Sequence, residues 1–416
     1  MAVTADRVVT KIRFGEFVAL TAATMATQAL AVDAMLPAFP VILHALNVAD
    51  ANFGQWILTA YMTGLSFGQL FWGIMSDRFG RRRILLTGLS LYVIAALACT
   101  LASSFATLLV WRFVHGLAAA STIVVRSVVR DLYSGRQMAR VVSLTFVVFI
   151  MVPIIAPSVG QAILLIAPWR FIFAVFGIFA GTVAVWLAIR LPETLHPEYR
   201  MTLTRSHIAA AVRLVLGNRS SLFYTLAVTL MFGALIAYVG TVQQIFTVVF
   251  QRPTLMPSMF ALCAILMGMA AYGNSRIVER LGMRRISHAA LLTFIVVAVL
   301  HTVVAAMGRE QIWTFVVFQS LAMATFSLSV SNFGAMAMEP VGSVAGVAAS
   351  LQGFISTFFG ALIGALIGKQ FNGTTIPLAA SAVICGGLAL LCVLVAENGR
   401  LFAPHHGGED AALLMH

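Results

Sequence analysis

Two charged side chains, Asp33 and Arg112, stand inside long apolar runs of this 416-residue chain. If those runs cross a bilayer, a charge costs about 2.5–3.5 kcal/mol near the centre of its helix, and such groups mark ion or substrate pathways. A carboxyl so placed is neutral when dry and ionised when wet, so it can exchange a proton as its surroundings alternate. Asp33 has the type for that role, as proton carrier or as substrate ligand. It also stands near Pro37, toward the end of its run, where it could simply cap or anchor the helix. Arg112 lies early in another run, at a similar depth if the two runs cross in opposite senses. A guanidinium there would favour the ionised carboxylate when close and release it when displaced, which lets proton and substrate compete. The alternative is a static pair that only fixes helix packing.

Further candidates lie along the same and later runs. Arg126 and Arg130, followed by Asp131, are four apart and share a helix face. They fit either an inner gate or charges that snorkel to the membrane surface. Pro153, Pro157 and Gly160 fall in one run, where proline removes a ladder hydrogen bond and allows bending. Gln28, Tyr61, Phe149, Tyr238, Gln243 and Asn332 are polar or aromatic groups in apolar runs and make the candidate pocket, although a single aromatic more often packs than binds. Gly360, Gly364 and Gly368 form a small-residue stripe that close packing explains.

Composition dictates the elements that hold these residues. With 61% hydrophobic and 10% charged residues, a soluble domain of this length is excluded. Apolar segments of about 20 residues, enough to cross a bilayer, fall near 14–40, 53–75, 84–104, 107–129, 141–164 and 171–190. A second set falls near 220–246, 256–275, 287–307, 312–335, 343–367 and 377–396. The expected fold is all-α and membrane-integral, with twelve transmembrane helices in two six-helix bundles related by a pseudo-two-fold axis. The bundles are 1–190 and 220–400, joined by a cytoplasmic linker at 191–219 and followed by a cytoplasmic tail at 401–416. Of the 26 Lys and Arg, twenty fall in segments on one side of this alternation and four on the other, with Arg112 and Arg126 inside the fourth span. That asymmetry puts both ends in the cytoplasm. The apolar run after Arg7, Lys11 and Arg13 has no small-residue cleavage site and reads as the first span.

The net charge of +12 sits in short clusters between spans, with no basic face interleaved with aromatics, so nucleic acid is not the partner. Cys99, Cys263, Cys385 and Cys392 lie apart in apolar runs and make no metal or redox pair. Gly368-Lys369 lacks the rest of a phosphate loop. With no nucleotide site, metal cluster or catalytic triad, the expectation is a non-enzyme without cofactor, energised by an ion gradient, the proton being favoured by Asp33. The chain contains both halves of a two-bundle machine, so a monomer is expected.

The two halves repeat a pattern. Gly68-Gln-Leu-Phe-Trp-Gly73 is followed by Ser76-Asp77-Arg78-Phe79-Gly80-Arg81-Arg82-Arg83; Gly268-Met-Ala-Ala-Tyr-Gly273 is followed by Glu279-Arg280-Leu281-Gly282-Met283-Arg284-Arg285. Such duplication places a binding site near the midplane between repeats. The chain here resembles the major facilitator superfamily over nearly its whole length, and Gly68 to Arg83 looks like that superfamily's signature between the second and third spans. Gly68 and Gly73 permit close helix approach, Gly80 supplies a turn, and Asp77 with Arg78 and Arg81 fits a breakable latch between halves, which Arg126, Arg130 and Asp131 could join.

More narrowly the chain resembles drug:proton antiporters of the bicyclomycin and chloramphenicol exporter (Bcr/CflA) type. Asp33 with Leu36-Pro37-Ala38-Phe39-Pro40, Arg112-Phe113-Val114-His115-Gly116, and Val125-Arg126-Ser127-Val128-Val129-Arg130-Asp131-Leu132-Tyr133 carry the likeness. Ala156 and Gln161 stand where the antiporter motif of span five has glycines, and His115 where the family often has Gln. The resemblance implies export of small amphipathic compounds in exchange for protons across a bacterial inner membrane. Import of a physiological solute by the same fold is the second reading. The near absence of charge in the C-terminal spans favours apolar cargo over sugars or acids.

Overall fold

Inside a bilayer an apolar run has no polar partner but its own backbone, so each run must close its hydrogen bonds as a helix. The computed structural model describes residues 12–133, 135–195 and 205–402, and every regular element among them is helical. In the first half the spans are Phe14–Asp33 (continued by Leu36–Ala38 and Phe39–Ala45), Gly54–Phe79, Arg81–Thr100, Phe105–Ala119 (continued to Leu132), Gly135–Ile166 and Arg170–Arg190. In the second half they are Arg219–Gln244, Met256–Leu281, Met283–Ala306, Ile312–Met338, Ala345–Gly368 and Ile376–Ala396. The twelve expected spans are therefore present, several of them longer at the arginine-rich face than the apolar runs suggest.

Length and apolar composition alone single out nine segments among the described residues as able to cross a membrane, and one of these, Ile312–Gly368, holds two of the twelve helices. The second span is not among them, because Gln55, Thr59, Thr63, Ser66 and Gln69 dilute it. It tolerates that polarity because it packs on the fourth span and, across the bundle boundary, on the eleventh rather than facing lipid all round. Apolar side chains such as Ile166 and Ile189, 87% and 74% exposed, cover the outside, as a lipid-facing surface requires.

Packing repeats between halves. The first span lies on the fifth, the second on the fourth and the third on the sixth; likewise the seventh lies on the eleventh, the eighth on the tenth and the ninth on the twelfth. The halves meet where the second span touches the eleventh and the fifth touches the eighth. The single-residue turns after the second and eighth spans are Gly80 (φ +103°) and Gly282 (φ +80°), a region open to glycine and strained for other residues. The helix Arg205–Gly217 lies within the polar stretch between halves, and its Val215 is buried against Val341 and Ala348 at the start of the eleventh span.

Three spans depart from regular α-helix. The first stops at Asp33 and resumes through a 3-10 turn, because Pro37 and Pro40 carry no N–H to continue the ladder. The fourth passes through a 3-10 stretch, Ala120–Ile123, at mid-length, and the seventh ends in a π-turn, Ile245–Val249. Such departures are characteristic of hinges and functional sites. The fifth span, by contrast, continues as one helix through Pro153 and Pro157.

Candidate functional site

Asp33 is the last residue of its helix, buried at the break that the prolines create. Its carboxylate has no hydrogen bond or ion pair with any described residue. Arg112, 1% exposed, stands in the same layer but is not paired with it. Its Nη2 donates to the Ala31 carbonyl (3.2 Å), its Nε to the Ile57 carbonyl (3.3 Å), and its Nη1 meets His115 Nδ1 at 3.2 Å. The guanidinium carbon lies 4.4 Å from the centre of the Tyr61 ring, a cation–π contact. Since Arg only donates, His115 accepts at Nδ1; its Nε2 is buried with no partner among the described residues. The static Asp33–Arg112 pair considered from sequence is thus absent in this conformation, because the guanidinium is occupied by backbone carbonyls.

These groups hold the first span by its backbone. Tyr61 donates to the Gln28 carbonyl (3.1 Å), Tyr92 to the Thr27 carbonyl (2.9 Å) and Arg112 to that of Ala31. Gly160 of the fifth span approaches from the other side, where any Cβ would run into the Ala34 carbonyl. That residue therefore allows close contact beside Asp33.

Between the halves lies a cavity of about 560 Å³. Its lining includes Gln28, Gln69, Thr122 and Arg126 on one side and Thr225, Phe232, Val330, Gln352 and Thr357 on the other. Thr225, Met338 and Ala349 lie within two turns of the arginine-rich ends of their helices, so the cavity occupies that half of the bundle. The opposite end is closed. Gln55 of the second span fits against Gly240 and Gly368, where a Cβ would displace it, and donates to Gln244 Oε1 (3.3 Å). Gln244 donates to Asn52 (3.1 Å), and Asn52 donates to the Lys369 and Phe371 carbonyls (3.3 and 3.2 Å). Helices of both halves are thereby tied at this face.

The signature cluster is folded inward on its own half. Buried Arg81 binds Asp77 and donates to Ser76 (2.7 Å) and Asp131 (3.2 Å). Thr194 also donates to Asp131 (3.2 Å), and Glu193 accepts from the Arg81 backbone N–H (2.7 Å), capping the third span beside Gly80. Arg78 is exposed over the Phe79 ring, and Arg130 is exposed. The pairs that Arg81 makes with Asp77 and Asp131 lie within the first half, so among the described residues these three do not latch onto the second half here. Gly68 sits where a Cβ would meet the Leu117 carbonyl, as close helix approach predicts.

Of the candidate pocket residues, Gln28 reaches the cavity. Tyr61 is wholly buried behind it. Tyr238 is buried and stacked on Phe260 at 5.8 Å, and Asn332 pairs with Asn274 of the eighth span (2.9 Å). Gln243 turns back to Thr247 (3.3 Å), beside a small void of about 80 Å³ at the closed end. Helix rotation, which apolar periodicity does not fix in a span buried on several sides, turns these three away from the cavity. Phe149 lies in the fifth span, and its side chain is outside the described residues. Sequence reasoning missed Gln55, Asn52 and Gln244 at the closed end and Gln69, Thr122, Gln352 and Thr357 in the cavity. The isolated glutamines of apolar spans were the available signal, since an amide there is costly unless it is paired.

Two six-helix repeats around a central cavity that is sealed at one face and open at the other define the class of alternating-access secondary transporters. The sequence pattern of the Major Facilitator Superfamily matches residues 20–365. The chain is 32% identical over 357 residues to YdgK of Bacillus subtilis (strain 168), an uncharacterized MFS-type transporter, covering 84% of this chain and 88% of that one. It is 29% identical over 363 residues to the bicyclomycin resistance protein homolog of Haemophilus influenzae, covering 86% and 90%. Among solved structures it superposes on the xylose transporter XylE from E. coli, in a partially occluded inward open conformation, with a TM-score of 0.70 over 94% of this chain and 99% of that one at 13% identity. The chain belongs to the major facilitator superfamily, and it is similar to the Bcr/CflA-type exporters its motifs resembled.

Proposed function

We propose that this transporter exports small amphipathic compounds, drugs or toxins, from the bacterial cytoplasm in exchange for protons, with Asp33 as proton carrier. The observation that carries the reading is the Asp33 carboxyl, buried without a partner at a helix break while Arg112 is held on neighbouring carbonyls. The relative named for bicyclomycin resistance supports export as the direction. The arginine-rich face and both ends lie in the cytoplasm and the protein sits in the inner membrane, in keeping with the charge asymmetry. It works as a monomer, uses no cofactor, draws on the proton gradient and performs no chemistry on its cargo.

In the conformation described, the cavity loads from the cytoplasm. An isolated ionised carboxylate away from water is costly, so burial of Asp33 is coupled to its carrying a proton. Cargo touching Gln28 pulls on the helix whose carbonyls at Thr27, Gln28 and Ala31 are held by Tyr92, Tyr61 and Arg112. Release of the Ala31 carbonyl frees the guanidinium to meet Asp33, and the proton leaves to the cytoplasm. Breaking the Gln55–Gln244–Asn52 contacts opens the outer face; closing the inner face brings Asp77 and its neighbours toward the second half. Cargo then leaves, and Asp33 is reprotonated from outside.

The test is proton release from inverted vesicles energised to an acidic interior and challenged with amphipathic compounds. Cargo-triggered release is expected for the native chain and is expected to vanish in Asp33→Asn. Release that survives the substitution removes Asp33 as the sole carrier. Silence across a broad panel from folded, inserted protein would turn the reading to uptake of a physiological solute.

A further inference from the structure

The cavity carries one charge among its described lining residues, and it is positive. Arg126 is exposed into the space, and neither a hydrogen bond nor an ion pair joins it to any described residue. No Asp or Glu lines the cavity among the described residues; its other polar side chains are neutral amides and hydroxyls, those of Gln28, Gln69, Gln352, Ser356 and of Thr122, Thr225 and Thr357. The nearest acid along the helix, Asp131, is occupied by Arg81 and Thr194 on the far side. Across the space, Phe232, Val330 and Met338 present an apolar wall. A guanidinium held in a partly dry cavity with its donors unspent invites an oxygen anion or a strong acceptor and repels a cation.

We propose that Arg126 sets the charge class of the cargo: amphipathic compounds with a carboxylate, sulfonate or other anionic or strongly accepting oxygen group, and not lipophilic cations. The acceptor group docks on Arg126 while the apolar body lies on the wall of Phe232, Val330 and Met338. The assignment rests on the export reading and on this cavity being the loading site. An unpaired charge about 6 Å from a bound ion in surroundings of effective dielectric about 20 changes occupancy on the order of 100-fold. Cavity water reduces this, and about tenfold is the effect to expect. Arg130, on the same helix face, does not reach the cavity, so the discrimination belongs to one residue.

The experiment reconstitutes the full chain in phosphatidylcholine vesicles, which supply no anionic lipid headgroup to compete. It measures transport of three probes: deoxycholate as the anion, chloramphenicol as the neutral compound and tetraphenylphosphonium as the cation. The native protein is expected to favour deoxycholate over tetraphenylphosphonium at least tenfold. Arg126→Gln is expected to lower the deoxycholate-to-chloramphenicol ratio about tenfold through the half-saturation concentration, Arg126→Lys to restore most of it, and Arg126→Glu to reverse the preference toward the cation. Because the readout is a ratio within one preparation, a partly folded variant does not mimic the result. Equal handling of anion and cation by the native protein, or an unchanged ratio in Arg126→Gln, overturns the assignment while leaving export standing. Transport of none of the three by folded protein overturns the export reading itself. Restored deoxycholate transport only when anionic lipid is added would assign Arg126 to a headgroup and overturn its role in cargo choice.

Discussion

The two halves share a packing scheme and differ in where they place charge. Counted from the start of its helix, the twentieth residue of the first span is Asp33, and the twentieth of the seventh span is Tyr238. The eighth residue of the fourth span is Arg112, and the eighth of the tenth is Gln319. At mid-depth, then, the first half buries a carboxyl and a guanidinium where the second buries a phenol and an amide. The second half keeps its paired buried ionisable groups at its ends: Arg284 with Glu397 and Tyr224 at the arginine-rich face, and His301 with Glu310 and Thr375 at the other. A rigid-body rocking mechanism needs two similar bundles, but it needs only one of them to carry the ion. On the function proposed above, the duplication supplies the scaffold and the coupling chemistry falls to one copy.

The strongest way to break this division is Asp33→Asn. The amide keeps the shape and cannot exchange a proton, so gradient-driven transport is expected to fall at least about 100-fold, as for loss of a group acting only in the coupled step. Exchange of cargo without a gradient in reconstituted vesicles is expected to persist. If gradient-driven transport persists instead, the division between halves is wrong. Next in size is Arg112→Lys. An ammonium cannot span the Ala31 and Ile57 carbonyls and His115 together. Losing one such charged hydrogen bond is expected to lower transport about tenfold or somewhat more, with the folded protein recovered from detergent extraction as the control.

The arginine-rich face offers a paired test of stability. Arg81 is buried and serves Asp77, Asp131 and Ser76, and Arg284 serves Glu397 from a more open position. Removing one partner of a buried pair costs about 3–5 kcal/mol. The partial exposure of Asp77 lowers the expected cost of Arg81→Gln to about 2 kcal/mol, and the Tyr224 hydroxyl that still donates to Glu397 lowers that of Arg284→Gln to about 1 kcal/mol. Thermal unfolding in detergent should rank the two in that order. The reverse order would place the firmer cluster in the second half.

Where the protein meets lipid, the sequence was easy to read, because lipid demands long charge-free helices and the loops between them show their side by their arginines. Asp33 and Arg112 stood out for the same reason, a charge inside such a helix being rare. The cavity was harder. Gln55 and Gln243 are the same residue in similar apolar surroundings, yet one bridges the halves and the other folds back on Thr247. The choice depends on helix rotation and on Gly240 and Gly368 lying opposite Gln55, which are relations between spans nearly 200 or more residues apart. Likewise the 3-10 stretch at Ala120–Ile123, which brings Thr122 to Gln28 (3.0 Å), has no proline to announce it.

The smallest expected effect bears most directly on the comparison. If Tyr238 and Gln319 are only the packed counterparts of Asp33 and Arg112, their polar atoms should matter little to coupling. Tyr238 is buried and stacked on Phe260, so Tyr238→Phe keeps the stacking and removes one hydroxyl. One buried hydrogen bond contributes about 1 kcal/mol to stability, and transport is expected to stay within about threefold, since a loss shared by ground and transition states leaves the rate nearly unchanged. Gln319→Leu should behave alike, because the replacement of a buried amide by an apolar group of similar size is close to neutral when no partner is left unpaired. A drop in the proton-to-cargo ratio for either variant, measured as simultaneous flux, would mean that the second half reaches into the coupling step. A drop in cargo flux at constant ratio would mean only that the half rocks more slowly. The two readouts separate a passive partner from a hidden second ion path.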